Sequence, residues 1–215
     1  MPTRRFSTVP ASGQASLFGD ATAPNEVHRL FFALMPDPVA MARVAAVAAR
    51  LQSEHRMHGK PIAMSRYHAT LSFLGDNDGL RQDWVDRAGR AAERVRVAPC
   101  EVQLDRAVIF RRGQGASPCV LTGPAGADLK ALWSILRREL IVEGFGKELE
   151  HSFVPHVTWI YSRDSHPEQA IEPIVWTARE FVLVHSIVRN PDYRILGRWS
   201  LTPDRHDVAL QHPQG

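Results

Sequence analysis

The chain of 215 residues has little cysteine, no long apolar run and no block of basic residues. Its two cysteines, Cys100 and Cys119, lie in apolar surroundings, which indicates buried, reduced thiols rather than a disulfide framework or a metal site. No segment approaches the roughly 20 apolar residues of a membrane span, and the N-terminus lacks the apolar core of a signal peptide. We therefore expect a cytoplasmic protein with no membrane partner.

The charge balance is mildly basic, with 26 Lys and Arg residues against 23 Asp and Glu and a formal net charge of +3. This balance suits an anionic substrate, but it does not indicate tight binding of duplex nucleic acid, because no Lys/Arg block stands out. The hydrophobic share of 44% and the charged share of 23% are typical of a globular protein. The 10 His residues show no metal-ligand spacing, so we expect neither metal nor cofactor.

Composition divides the chain into three segments. Residues 1–27 are rich in Pro, Ser, Thr, Ala and Gly, which predicts a disordered tail, and residues 202–215 form a second polar tail. The segment between them, 28–201, predicts one domain. Inside the first tail, Gln14-Ala15-Ser16-Leu17-Phe18 resembles the pentapeptide with which bacterial proteins dock on the DNA sliding clamp. The alternative is a tail that happens to contain a Leu-Phe pair.

Apolar periodicity predicts alternating strands and helices over 28–201. Asp37 followed by Pro38 marks the start of the first helix, as an N-cap and a first-turn proline. The predicted strands are 28–35, 67–74 (ended by Gly75), 101–110, 119–122, 153–161, 180–188 and 193–201, and the predicted helices are 39–52, 78–95 and 127–142.

A short motif occurs twice, as His68-Ala-Thr70-Leu and as His156-Val-Thr158-Trp. Each copy lies in a predicted strand, where alternate side chains share a face, so the His and Thr of each copy should point the same way. Histidine can act as acid or base near neutral pH, and hydroxyl groups can donate to phosphate oxygens. The pair of motifs therefore indicates acid–base chemistry on a phosphate.

The two halves of the chain are alike, since each has a helix followed by a motif strand. This predicts an α+β fold of two pseudo-symmetric lobes of antiparallel sheet, with outer helices and a central cleft that carries both motifs. Arg66 lies two residues before His68 and should share its face, as a phosphate contact or as a solvated arginine at a strand end. Phe32, or its neighbour Phe31, could stack on a base or fill the core.

These features resemble the 2H phosphoesterase superfamily. The resemblance rests on residues 29–36 (RLFFALMP), 67–75 (YHATLSFLG) and 153–159 (FVPHVTW), and on the closing runs 179–186 and 193–199. Within the superfamily the chain most resembles the bacterial and archaeal RNA 2′,3′-cyclic phosphodiesterases, also called 2′-5′ RNA ligases. This implies metal-independent hydrolysis of RNA 2′,3′-cyclic phosphate ends to 2′-phosphates, with 2′-5′ ligation as the reverse reaction.

The resemblance also implies roles for the site residues. His68 would be the proton donor to the leaving oxygen and His156 the proton acceptor from water, whereas the sequence alone does not distinguish the two roles. Family members often carry an arginine soon after the second motif, where this chain has Tyr161 first and then Arg163, a candidate substrate contact. Trp159 replaces the usual aliphatic residue, and strand alternation turns it toward the packing side.

Two other functions fit the same residues. One is a related enzyme that acts on small nucleotide cyclic phosphates or on 2′-5′ linkages. The other is a non-catalytic RNA-binding or clamp-associated accessory protein, against which the presence of His and Thr in both motifs argues. A panel of cyclic phosphates and 2′-5′ oligomers distinguishes the enzymes, and RNA binding without turnover would indicate the accessory protein.

Overall fold

The computed structural model describes residues 26–111, 115–147 and 149–202. The candidate clamp motif at 14–18 and almost all of both predicted tails lie outside these residues. None of the helices in the described part of the chain is long and apolar enough to cross a membrane. The described residues form three α-helices, Pro38–Glu54 (α1), Gln82–Glu93 (α2) and Ala127–Val142 (α3), and eight strands: His28–Leu34 (β1), Ala69–Asn77 (β2), Cys100–Ile109 (β3), Ser117–Thr122 (β4), His156–Ser162 (β5), Gln169–Ala178 (β6), Glu180–Ile187 (β7) and Tyr193–Ser200 (β8).

All eight described strands belong to one antiparallel sheet, in the order β6-β3-β4-β5-β2-β1-β7-β8. At the centre, β2 and β5 meet at the pair Ala69–Val157. On one side lie β2, β1, β7 and β8 (lobe 1), and on the other β5, β4, β3 and β6 (lobe 2). Helix α1 joins β1 to β2 and α3 joins β4 to β5, so each motif strand follows a helix in the matching place. The predicted α+β fold with two similar lobes is confirmed.

The helices cover one face of the sheet and leave the other open. Helix α1 starts as predicted, because the Asp37 carboxylate accepts a hydrogen bond from the Ala40 N–H at 2.8 Å and Pro38 occupies the first turn. The main core fills the space between helices and sheet, with Leu51 of α1 and Leu132 of α3 fully buried there. The open face carries a smaller apolar cluster around four buried residues: Phe31, Ala33, Val182 and Val184.

Strand β6 was not predicted, and it contains Pro173 within an otherwise alternating run. Proline cannot donate to a sheet ladder and normally argues against a strand, but an edge strand tolerates it. Strand β6 is an edge strand that pairs with β3. Its buried residues Ile171, Ile174 and Trp176 pack against the main core.

The predicted end of the first motif strand at Gly75 was wrong, since β2 continues through Gly75 to Asn77. Gly75 has a φ of +138°, and a Cβ there would lie 2.8 Å from the ring of Trp84. The glycine therefore makes room for Trp84 of α2 within the strand. Helix α2 itself begins at Gln82, four residues later than the pattern predicts.

Candidate active site

The junction of the two lobes brings both motifs to one point of the open face. Ala69 and Val157, which pair across the junction, are buried on the core side. Their neighbours along each strand therefore point to the opposite face. In an antiparallel register these neighbours lie across from one another, which places His68 opposite Thr158 and Thr70 opposite His156.

The two histidines make the same backbone contact. The Nδ1 of His68 lies 2.7 Å from the Arg66 carbonyl oxygen, and the Nδ1 of His156 lies 2.7 Å from the Val154 carbonyl oxygen. A carbonyl only accepts hydrogen bonds, so Nδ1 carries the proton in both rings. In the neutral rings the lone pair is then on Nε2. Each lobe thus presents an imidazole in the tautomer that can take up a proton at Nε2.

Aromatic rings hold both imidazoles in place. The ring of Phe31 lies 4.9 Å from the ring of His68, and the ring of Phe110 lies 4.9 Å from that of His156. Tyr193 of β8 adds an edge-to-face contact with His68 at 5.5 Å. Packing of this kind restricts the orientation of the two imidazole rings. Proton transfer to or from a bound molecule requires such a fixed orientation.

The pKa of His68 is lowered to about 4, mainly because the surrounding protein atoms desolvate its charged form. The hydrogen bond to the Arg66 carbonyl raises the pKa of His68, whereas the positive charges of His156 and Arg66 lower it further. His68 is consequently neutral at pH 7 in the unliganded protein. A bound anion would counteract the like-charge repulsion and favour the protonated ring.

We expect a titration of the His68 ring by NMR to give a pKa of about 4 in the free protein. Saturating inorganic phosphate should raise this pKa by about one unit or more, because an opposite charge nearby favours the protonated form. In the variant His156→Ala the pKa should rise slightly without phosphate, since one like charge is removed. A free-protein pKa at the ordinary histidine value, or no response to phosphate, would contradict this electrostatic picture.

Arg66 lies beside His68, as the sequence predicts, but on a 3₁₀ turn formed by Met64–Arg66 rather than on the strand. Its guanidinium stacks over the ring of Tyr193 at 4.5 Å, and its Nη1 lies 3.4 Å from the Asn190 carbonyl oxygen. Its Nε is buried and has no hydrogen-bond partner among the described residues. The turn therefore supplies a positive group next to His68 as well as the carbonyl that orients that ring.

Two predicted contacts are not at the site. Phe32 is fully buried on the helix side, with the rings of Phe181 and Trp199 each 5.7 Å away, so its assignment to substrate binding was wrong. Neighbouring positions in a strand face opposite ways, and it is Phe31 that faces the cleft. Arg163 comes directly after the last residue of β5, whereas His156 is the first residue of that strand. Seven strand positions span about 23 Å, which separates Arg163 from the motifs.

Sequence reasoning missed two residues that contact the motif histidines, Tyr193 and Phe110, and an arginine on the open face of β1. Tyr193 reaches His68 only because β8 pairs with β7 on the far side of β1, and no local signal indicates this. The contact of Phe110 with His156 depends in the same way on the pairing of β3 with β4. Arg29 shares the face of Phe31 by strand alternation, which the sequence could have shown. Its guanidinium binds Asp76 through two contacts of 2.8 Å.

The described residues contain no group of three or more His, Cys, Asp or Glu side chains that could hold a metal ion. The site instead offers two imidazoles, two hydroxyls and the arginine of the adjacent turn. These groups can give and take protons and bind an anion.

Comparisons relate the chain to a phosphoesterase family and to solved structures of the same fold. A family model described as LigT like Phosphoesterase matches residues 36–119, which include the first motif. The crystal structure of E. coli LigT in apo form is 25% identical and covers 82% of this chain and 99% of its own, with a TM-score of 0.65. No curated protein matches the chain.

Two further crystal structures share the fold. The protein TT0787 of Thermus thermophilus is 21% identical over 82% of this chain and 100% of its own, with a TM-score of 0.65. E. coli LigT complexed with 3′-AMP is 24% identical over 82% and 99% of the two chains, with a TM-score of 0.59.

Proposed function

We propose that the chain hydrolyses 2′,3′-cyclic phosphates at RNA ends to 2′-phosphates. The proposal proceeds from the premise that the chain is a LigT-like phosphoesterase of the 2H phosphoesterase superfamily. One observation carries the proposal. Two histidines with the same Nδ1-protonated tautomer lie at the junction of two lobes, each opposite a threonine of the other motif.

Hydrolysis of a cyclic phosphodiester needs a base on one side of the phosphorus and an acid on the other, because water attacks in line with the leaving oxygen. Nε2 of His156 takes a proton from water as the water oxygen bonds to phosphorus. The bond from phosphorus to O3′ breaks, and protonated His68 gives its Nε2 proton to that oxygen. The phosphate stays on O2′, and the 3′-hydroxyl is restored. Each transfer is typically worth about 10²–10⁴-fold in rate.

The remaining groups stabilise charge on the phosphate. In this mechanism the hydroxyls of Thr70 and Thr158 donate hydrogen bonds to the non-bridging oxygens as negative charge develops. The Arg66 guanidinium adds positive charge on the His68 side. The substrate anion in turn raises the pKa of His68, which increases the fraction of the protonated form that the reaction uses.

Nucleotide chemistry is supported by the relatives. E. coli LigT has been crystallised with ATP and with 3′-AMP, and a nucleotide phosphate has the size and charge of the substrate proposed here. RNA 2′-5′ ligation would use the same two proton transfers, with a 5′-hydroxyl group in place of water as the nucleophile. We assign it as a side activity, because water is the abundant nucleophile.

A substrate panel tests the proposal. An oligoribonucleotide ending in a 2′,3′-cyclic phosphate, a mononucleotide 2′,3′-cyclic phosphate and a 2′-5′-linked oligomer are compared at equal concentration without divalent metal. We expect the highest kcat/KM for the oligoribonucleotide. Turnover of the mononucleotide alone would indicate the small-nucleotide enzyme, and binding of RNA without turnover of any substrate would indicate the accessory protein.

A further inference from the structure

One side of helix α3 carries aromatic and basic side chains. Lys130, Trp133 and Arg137 follow one another at spacings of three and four residues, so they share one side of the helix. The two acidic residues of α3, Asp128 and Glu139, lie by the same spacing on the opposite side, where Glu139 forms an ion pair with α2. The side of α3 that carries Trp133 is therefore positively charged.

These side chains form a layered stack with the segment that leads into β5. The ring of Phe153 lies 5.7 Å from that of Trp133 with 14° between the planes, and the Arg137 guanidinium lies 6.0 Å from the centre of the Trp133 ring. The Nε of Arg137 donates to the Glu150 carbonyl oxygen at 3.0 Å, and its Nη2 donates to Nδ1 of His151 at 3.3 Å. These contacts fix the orientation of the guanidinium over the indole.

The stack reaches the surface of the protein. Phe153 rests on the main core, yet Phe153, Trp133 and Arg137 all remain partly exposed, and Lys130 is exposed. Aromatic rings beside cations are typical of surfaces that bind single-stranded nucleic acid, because bases stack on the rings and phosphates meet the positive charges. We call this surface the α3 platform; its members are Lys130, Trp133, Arg137 and Phe153.

The α3 platform lies close to the second motif. Phe153 precedes His156 by three residues, a span of at most about 11 Å. Val154, between them, is exposed and gives its carbonyl oxygen to the His156 ring. A strand of RNA whose end lies between the motif histidines can therefore reach the platform within a few nucleotides.

We propose that the α3 platform binds the substrate RNA upstream of the nucleotide that carries the cyclic phosphate. A base stacks on the exposed part of the Trp133–Phe153 pair, and backbone phosphates lie beside Lys130 and Arg137. This inference rests on the proposed function, which places the RNA end between His68 and His156. It makes single-stranded oligoribonucleotides, rather than free nucleotide cyclic phosphates, the preferred substrate class.

The variant Lys130→Glu tests the contact with phosphate, because it reverses the charge of an exposed side chain. For a hexaribonucleotide that ends in a 2′,3′-cyclic phosphate, we expect KM to rise about fivefold or more, and the slope of log KM against log salt concentration to fall by about 0.7, the value per phosphate contact of a single strand. KM for adenosine 2′,3′-cyclic phosphate and kcat for both substrates should stay unchanged. Lys60→Glu, an exposed lysine outside the platform, is the matched control and should change neither KM.

The variant Trp133→Ala tests the contact with a base. We expect KM for the hexaribonucleotide to rise about tenfold, within the range for loss of one stacked base. Trp133→Phe keeps an aromatic ring and should retain most of the affinity, which a purely structural role of the indole would not explain. Unchanged kcat and KM for adenosine 2′,3′-cyclic phosphate establish that each variant is folded.

The two substrates distinguish the possible failures. If Lys130→Glu raises both KM values equally, or raises neither, the α3 platform is not an RNA site although the hydrolase function stands. A hexaribonucleotide that the unsubstituted protein uses no better than the mononucleotide has the same meaning. If the unsubstituted protein hydrolyses neither substrate, the proposed function is overturned, and the RNA site with it.

Discussion

Replacing either His156 or His68 by alanine is expected to lower kcat for an RNA 2′,3′-cyclic phosphate by about 10²–10⁴-fold. Each variant removes one proton transfer, and the two rings contribute to the same transition state. Groups that act as a unit are strongly non-additive, so the double variant should lose little more than the worse single one. Steady-state kinetics on one cyclic-phosphate substrate measures all three variants.

A matched control is His151→Ala, since His151 is exposed and lies five residues before His156. It should keep the full rate. Retention of normal turnover in His68→Ala or His156→Ala would remove the paired-histidine mechanism. A loss as large in His151→Ala would show that the assay reports folding rather than catalysis.

The variant Trp159→Ala is expected to lower the free energy of unfolding by about 3–5 kcal/mol, the usual cost of deleting a buried tryptophan side chain. Trp159 follows Thr158 directly but points to the opposite face, where it is fully buried in the main core. In urea denaturation the change appears as a lower urea concentration at the midpoint of unfolding, while the slope of the unfolding free energy against urea concentration stays the same.

Tyr161→Ala provides the comparison within the same strand, because the Tyr161 side chain is half exposed. Its replacement should change stability by no more than about 0.5 kcal/mol. The pairing of β5 with β4 has an irregularity between Thr158 and Ile160, which interrupts the alternation between Trp159 and Tyr161. If the two variants cost the same, β5 does not separate buried positions from exposed ones. Since the site is built on that separation, this outcome would also question the placement of Thr158.

Strand alternation predicted which side chains share a face but not which ones meet. His68 and Thr70 belong together from the sequence alone, as do His156 and Thr158. Their cross-strand partners depend on the Ala69–Val157 pair, which brings together residues far apart in the chain. Only tertiary pairing decides such a register.

The errors of sequence reasoning have similar physical causes. Phe31 and Phe32 are neighbours in β1 and therefore point to opposite faces of the sheet. Which of these faces is the core depends on where the helices pack. Arg66 was placed by strand alternation, yet it ends a 3₁₀ turn and acts partly through its backbone carbonyl. Strand β6, which contains Pro173, was also missed; proline is acceptable only at a sheet edge, and the edge is a property of the whole sheet.

The most direct measurement is the position of the phosphate after an oligoribonucleotide with a 2′,3′-cyclic phosphate end is incubated with the protein and EDTA. Phosphorus NMR distinguishes a 2′-phosphate from a 3′-phosphate. If two histidines catalyse hydrolysis with O3′ as the leaving oxygen, the cyclic phosphate is converted completely to the 2′-phosphate in EDTA. The variant His156→Ala should convert little of it. Formation of the 3′-phosphate, or loss of activity on adding EDTA, would contradict it.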